Sequence, residues 1–409
     1  MPVKHTNTTS LHSSCTQDST SYIPRLQLLL REIGYRYEAP LPTNPGFHES
    51  FHEWFKTTLG PALSWDSNKL HNLEKASSSL AERAYPFADT EMNLLMGKLI
   101  AIALSFDDSI KDDEMYTSMA GFTQRVYLGM AQPPGVLAIY HGVLKELSIV
   151  YEEDTLLMGL AVVPWITYVD GCLMEKRLLT VDAVVRASPL DMGYQHLLEQ
   201  QHHFQRSLPS PKGARIGPKC DGDKQGMLPI PLKGDAVNFP RYLRLKTGIS
   251  ESFVAAIFKA NRGQKLPLTR YLHALPDLVF QIEMMNDLLS FHKEEIDGEQ
   301  YNVIHLRTQA LRSASKKGSQ GREWTLMDTF NLLCDEVRDA TFRIDAMLRL
   351  DEVERKLEKG ERRGHGEEDV DIFDETIAKQ WRLFKDGYIS WHLESSRYKL
   401  DFLKKAEYA

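Results

Sequence analysis

Three oxygen-bearing side chains, Asn286, Ser290 and Glu294, recur every four residues along a stretch that is otherwise largely apolar. Residues four apart lie on one face of an α-helix. From Pro276 to Glu294 the face through Val279 and Ile282 continues through Asn286, Ser290 and Lys293, where a core stripe would carry Leu or Val. Burying an unpaired amide or hydroxyl group costs about 2–7 kcal/mol and an unpaired ammonium more, so this stripe needs partners. Solvent supplies them if the helix is an ordinary amphipathic one, and a wet or cation-filled cavity supplies them if it is buried. An amide carbonyl, a hydroxyl and a carboxylate are hard oxygen donors, suited to Mg²⁺ rather than Zn²⁺.

A second polar cluster stands in the first half of the chain. Met92 to Phe106 predicts an apolar helix, with Met92, Leu95, Leu99, Ala103 and Phe106 on one face, and it runs directly into Asp107-Asp108-Ser109-Ile110-Lys111-Asp112-Asp113-Glu114. If helical geometry persists, Asp107 and Glu114 share a side with Asp113 close by, and Asp108 points elsewhere. Crowded carboxylates raise one another's pKa unless a cation neutralises them, so the cluster calls for a cation, a basic partner or full solvation.

Together these segments, with Arg397-Tyr398 near the end of the chain, resemble the class I terpene synthases, most closely the fungal trichodiene synthase family. Asp107-Asp108-Ser109 followed by Lys111-Asp112-Asp113 is similar to that family's aspartate motif with one residue inserted, and Asn286-Asp287-x-x-Ser290-x-x-x-Glu294 is similar to its second motif. Phe239-Pro240-Arg241-Tyr242-Leu243-Arg244, Ser290-Phe291-His292-Lys293-Glu294 and Tyr388-Ile389-Ser390-Trp391-His392-Leu393 also resemble family signatures. Motifs co-occurring in order are far more specific than any one pattern.

The resemblance implies an all-α class I terpenoid synthase bundle around a central cavity. It implies metal ligation by Asp107, Asn286, Ser290 and Glu294, while the inserted residue leaves open which of Asp112, Asp113 and Glu114 assists. Arg244 becomes the pyrophosphate sensor, Lys293, Arg397 and Tyr398 become diphosphate donors, and Asp108 pairs with Arg397 when the site closes. It implies Mg²⁺, three ions with bound diphosphate, and an isoprenoid diphosphate substrate of the farnesyl type. Ionisation would release pyrophosphate, with the cation cyclising to a sesquiterpene or sesquiterpene alcohol. Dry aromatic faces stabilise such cations by about 1–2 kcal/mol each; Trp165, Tyr168, Phe280 and Trp391 are the sequence candidates, and each is equally explained by core packing. The implied assembly is a homodimer.

Residues that must meet at one cluster run from Asp107 to Tyr398, which predicts one helical domain over 21–409 rather than two. The chain has 409 residues, 42% hydrophobic, and a formal net charge of −7, which offers no basic surface for nucleic acid. Cys15, Cys172, Cys220 and Cys334 have neither metal nor disulfide spacing, and a cytoplasmic setting is expected. Residues 1–20, rich in Ser and Thr, read as a flexible tail without a signal-peptide core. The apolar runs Leu99–Phe106 and Leu156–Val169 fall short of the roughly 20 residues of a membrane span.

Three stretches read as loop additions, near 178–237, 313–321 and 351–368. The first carries Ser207-Leu208-Pro209-Ser210-Pro211. Within it Asp221 to Gly226 mimics the start of a calcium loop but has Leu232 at the twelfth position, and the adjacent His202-His203 cannot share one helical face. The third is a mixed charge run, expected to be solvated or frayed. These additions, and an end soon after Tyr398, predict a product other than trichodiene, with a longiborneol-type alcohol favoured. Two other functions fit the same fold. A prenyl chain-elongating synthase would carry a second Asp-Asp-x-x-Asp where Asn286-Asp287 stands, and a non-catalytic isoprenoid-binding protein would show decay at the ligand positions.

Overall fold

The computed structural model describes residues 22–37, 44–109, 112–179, 236–315, 323–359, 372–400 and 402–403, and every regular element among them is helical. In chain order these are α1 (Ile23–Glu32), α2 (Pro45–Trp54), α3 (Gly60–Leu63), α4 (Ser67–Ala84), α5 (Thr90–Asp107), α6 (Asp113–Met119), α7 (Phe122–Tyr127) and α8 (Val136–Val150). They continue as α9 (Thr155–Leu179), α10 (Phe239–Thr247), α11 (Ser250–Ile257), α12 (Leu275–Asp297), α13 (Val303–Ser315), α14 (Leu326–Met347), α15 (Leu350–Lys359) and α16 (Ile372–Glu394). The N-terminal tail, the calcium-like loop, His202-His203, Cys15 and Cys220 lie outside the described residues.

Local chemistry sets the ends of the helices that carry the site. Asp89 caps α5 by accepting from the Met92 amide. Gly298, at φ 72°, ends α12 in the left-handed turn that glycine adopts without strain. Apolar faces then pack: α4 against α5 and α16, α12 against α14, and α9 against α10 and α11. One buried core runs from Tyr22 to Leu403, with Trp165 and Trp381 wholly inside it. Two glycines allow the closest approaches. A Cβ on Gly387 would lie 1.9 Å from the Arg83 carbonyl oxygen, so α16 and α4 touch through backbone. A Cβ on Gly171 would lie 2.7 Å from the Lys246 carbonyl, so α9 presses on the end of α10, one turn from Arg244.

Three expectations change. α9 continues beyond the run Leu156–Val169, and Thr155–Leu178 is long and apolar enough to cross a membrane by length and composition. Here α9 is a bundle helix, with Ala161, Trp165, Val169 and Cys172 buried and Asp170, Glu175 and Lys176 along it. The charge run that begins at Asp351 is not frayed throughout: α15 covers its first part, where Leu350 and Val353 pack on Ala378 of α16. The helix ending in the aspartate cluster does not persist to Glu114. It stops at Asp107, and a separate helix, α6, starts at Asp113.

Candidate active site

The polar stripe of α12 is buried and faces a cavity. Asp287 and Ser290 are at most 6% exposed, and Asn286 and Lys293 are half-buried beside them. A cavity of about 400 Å³ is lined by Asp107, Asp108, Tyr168, Glu175, Arg244, Asn286, Asp287, Lys293, Glu294 and Glu299. A smaller one of about 190 Å³ shares Asp107, Arg244, Asn286, Lys293 and Glu294 and adds Ser290, Arg397 and Tyr398. All nine residues assigned to the site from the sequence therefore meet at this pair of hollows, although they come from four separate segments. A larger groove of about 1100 Å³ between α4 and α16 reaches Asp108 and Arg397 but none of the α12 face.

The aspartate wall is formed by Asp107, the last residue of α5, and Asp108 just beyond it. The helix macrodipole places partial negative charge there, so two carboxylates are electrostatically misplaced unless a cation joins them. Arg397 does so: its guanidinium lies 2.6 Å from Asp107 and 2.8 Å from Asp108. The two carboxylates hold Arg397 more firmly protonated than an ordinary arginine, against the cost of burial. The Asp108 pair is thus in place, and Asp107 shares it.

Asp112 and Asp113 are engaged elsewhere in this structure. The Asp112 carboxylate accepts from the Glu114 and Met115 amides and caps α6. Asp113 is 92% exposed and pairs with Lys176 at 2.9 Å, and Glu114 is exposed. The sequence held the signal, since an aspartate before a short amphipathic run is a preferred cap.

On the opposite wall, Arg244 of α10 reaches α12. Its Nε donates to Asp287 at 3.0 Å, and its Nη2 donates to Asn286 Oδ1 at 3.0 Å and to the Glu283 carbonyl at 3.4 Å. Burial works against its charge, but Asp287 and Glu283 more than compensate. Directly after α10, Ile249 holds φ 55°, a left-handed conformation that is strained for a β-branched residue, and the helix restarts at Ser250. The Ser290 hydroxyl donates to the Asp287 carbonyl at 3.4 Å. Lys293 stands 3.8 Å from Glu299.

Burial raises the Glu294 carboxyl to about 8, with Asp287 and Glu299 adding to the rise. Its Oε2 is buried with no hydrogen-bond partner among the described residues. Glu175 of α9 is likewise raised to about 8 by burial and by Asp107. Sequence reading missed Glu175, Glu283 and Asp287 as desolvated acids, because a single acid on a mostly apolar helix looks solvated until its neighbours are placed.

The donor set fits Mg²⁺. Its oxygens are hard, Glu294 Oε2 is orphaned, and the guanidinium groups of Arg397 and Arg244 stand as cations on Asp107 and on Asn286 Oδ1. Mg²⁺ typically takes one or two carboxylates plus phosphate oxygens rather than an all-protein cage, so ligands on two separated walls suit it. Asp107, Asn286, Ser290 and Glu294 are the residues that could hold it.

Of the four aromatic candidates, Tyr168 and Trp391 line the cavities. Trp165 is fully buried, donating its indole N–H to Ser252 in the core. Phe280 faces outward beneath the Arg241 guanidinium, 4.5 Å from its ring centre. Phe253 and Tyr388, unmarked by any motif spacing, line the smaller hollow with Trp391. His392 is fully buried behind them, and burial lowers its imidazole to about 3.

No family model matches the chain. It is 23% identical over 393 residues to terpene synthase BipA of Cochliobolus sativus, covering 95% of this chain and 94% of that one. It is 28% identical over 388 residues to longiborneol synthase CLM1 of Gibberella zeae, covering 92% and 88%. Among solved structures, linalool/nerolidol synthase from Streptomyces clavuligerus in complex with 2-fluorogeranyl diphosphate aligns with a TM-score of 0.51 at 14% identity, covering 86% of this chain and 100% of that one. Germacradien-4-ol synthase from Streptomyces citricolor aligns with a TM-score of 0.50 at 14% identity, covering 87% and 97%.

Proposed function

We propose that this chain is a terpene synthase with the class I fold, a Mg²⁺-dependent sesquiterpene cyclase acting on farnesyl diphosphate. The observation that carries this reading is the convergence of Asp107 with Asn286 and Glu294 across one hollow rimmed by Arg244, Lys293, Arg397 and Tyr398.

The allylic carbon–oxygen bond breaks, its electron pair leaves with pyrophosphate, and an allylic cation remains. Bound Mg²⁺ supplies Lewis-acid stabilisation of the charge that develops on the leaving group. Arg244, Lys293 and Arg397 present N–H donors to the same oxygens. The Arg244 and Arg397 forks, already held by carboxylates, need little reorganisation to do so. Tyr398 is buried, and its phenol stays protonated because burial raises it well above the usual range, so it donates as a neutral group. Beneath the diphosphate end, Ile282, Phe253, Tyr388 and Trp391 form an apolar wall that folds the chain and excludes water from the cation.

A longiborneol-type alcohol is the product this reading favours, supported by 28% identity to a longiborneol synthase across most of both chains. The same reading takes 21–409 as one domain and the enzyme as a cytoplasmic homodimer, the latter tested by light scattering on the purified protein. The deciding experiment incubates that protein with farnesyl, geranyl or geranylgeranyl diphosphate, with and without Mg²⁺ and isopentenyl diphosphate, and follows pyrophosphate release and volatile products by mass spectrometry. Mg²⁺-dependent C15 products from the farnesyl ester are expected. Consumption of isopentenyl diphosphate would make the enzyme a chain-elongating synthase instead, and absence of pyrophosphate release would leave only an isoprenoid-binding protein.

A further inference from the structure

Asn286 is useful as a metal ligand only if its carboxamide presents oxygen to the cavity. A carboxamide can rotate by half a turn at small steric cost and present its NH₂ group instead, so something must fix it. On α16, one turn separates Tyr388 from His392. His392 Nδ1 lies 2.8 Å from the Tyr388 carbonyl oxygen. That carbonyl can only accept, so Nδ1 carries the proton, and Nε2 is left as a lone-pair acceptor. The partner of Nε2 is Asn286 Nδ2, at 3.1 Å. On the far side of the amide, Arg244 Nη2, which can only donate, lies 3.0 Å from Oδ1. The chain carbonyl, imidazole, amide and guanidinium therefore form a directional relay in which each bond dictates the next.

We propose that His392 is the positioning residue that locks the Asn286 amide with its oxygen toward the metal. This inference rests on the reading of Asn286 as a ligand. The ring is well built for the task. It is fully buried and boxed by Tyr388, Trp391 and Tyr398, with ring centres 4.6, 4.7 and 4.4 Å away, so it has one orientation available. It also lies one turn before Ser395, at the start of the segment that carries Arg397 and Tyr398. The same helix end thus orients a ligand on α12 and delivers a cation to the aspartate wall.

The test uses the purified full chain and calorimetric titration of Mg²⁺ in the presence of inorganic pyrophosphate, which reads binding without turnover. Glutamine at position 392 reaches as far as Nε2 and keeps an acceptor there, whereas asparagine stops at the level of Nδ1. Both variants are polar and of similar bulk, so a general packing defect would affect them alike. H392Q is expected to keep its Mg²⁺ affinity within about threefold, and H392N to lose about 10- to 100-fold, the usual range for a residue that orients a ligand. A carboxylate shows oxygen whichever way it turns, so in an N286D background the difference between the two substitutions is expected to vanish. Equal affinities for H392Q and H392N with Asn286 intact would overturn the proposal, as would a difference that survives in N286D. Unchanged Mg²⁺ binding by N286A would instead remove the ligand reading itself, and the proposal with it.

Discussion

The two walls of the site are built in opposite ways. The α12 wall lies inside a continuous helix of 23 residues, and its ligand face is buried and crossed by Arg244 and His392. The α5 wall is a helix end, with Asp107 half-exposed and held by an arginine from the far end of the chain. A ligand face inside a helix has its geometry set by backbone hydrogen bonds before any metal arrives. A ligand at a helix terminus depends on whichever cation is nearby. The α12 wall thus reads as the preorganised half of the site, and the α5 wall as the half that the segment from Ser395 to Leu400 completes.

The strongest way to break this contrast is to strip the interior wall. Asn286→Ala or Glu294→Ala is expected to lower kcat/KM by about 10³-fold or more, the upper range for loss of a preorganised charge-stabilising group. Thermal stability should fall little in Glu294→Ala, because a buried carboxyl with one oxygen unpaired is removed with its side chain. Near-wild-type turnover in either variant would sink the assignment of the α12 wall. Asp107→Asn is expected to cost less, about 10- to 100-fold, or roughly 1.4–2.8 kcal/mol. Its neighbour Asp108 keeps the Arg397 pair, and an amide oxygen remains at position 107. If Asp107→Asn proved as severe as Glu294→Ala, the walls would be equal partners after all.

Three desolvated acids also give the metal-free protein a pH signature. Glu294 and Glu175 titrate near 8 and Glu283 near 7 in the fold, against about 4.3 in an unfolded chain. The folded state therefore holds more protons than the unfolded one, and stability falls as pH rises through those values. His305 and His392, lowered to about 4 and about 3 by burial, act in the opposite sense but only below about pH 6.5. Between pH 6.5 and 8.5 the acids act alone, and the Tm of metal-free protein is expected to drop by several degrees. Mg²⁺ with pyrophosphate should flatten that limb, since binding favours the ionised Glu294. A Tm that held level or rose across this window without metal would mean that these carboxyls are not desolvated.

Much of this contrast was legible in the sequence, for a reason tied to each wall. The α12 face could be read because its ligands lie on one helix, where the period alone brings Asn286, Ser290 and Glu294 together. The meeting of Asp108 with Arg397 came from resemblance, since no local pattern joins residues so far apart. Glu175, Phe253 and His392 were not legible, because a buried polar or aromatic side chain has a role only relative to neighbours from other helices. Phe280 shows the same limit in reverse. It neighbours Val279 on α12, yet its ring faces outward beneath Arg241. α15 was misread because its charges were taken as a solvated run. The pairs Asp351–Arg355 and Glu352–Lys356, four apart, would have favoured a helix.

The smallest expected effect sharpens the α5 wall. Asp112 sits five residues after Asp107, and its position after an inserted residue made it a contender for the metal. Its carboxylate instead accepts two amides at the start of α6, at 2.9 and 3.2 Å. A cap of this kind is worth about 0.5–2 kcal/mol, and α6 is a short peripheral helix that does not line either cavity. Asp112→Ala should therefore lower Tm slightly and leave kcat and the Mg²⁺ dependence within about twofold, since altered surface caps act on stability rather than on a distant site. Asp112→Asn, which keeps a capping oxygen, should restore the Tm. A large rise in the Mg²⁺ requirement of both variants would return Asp112 to the metal.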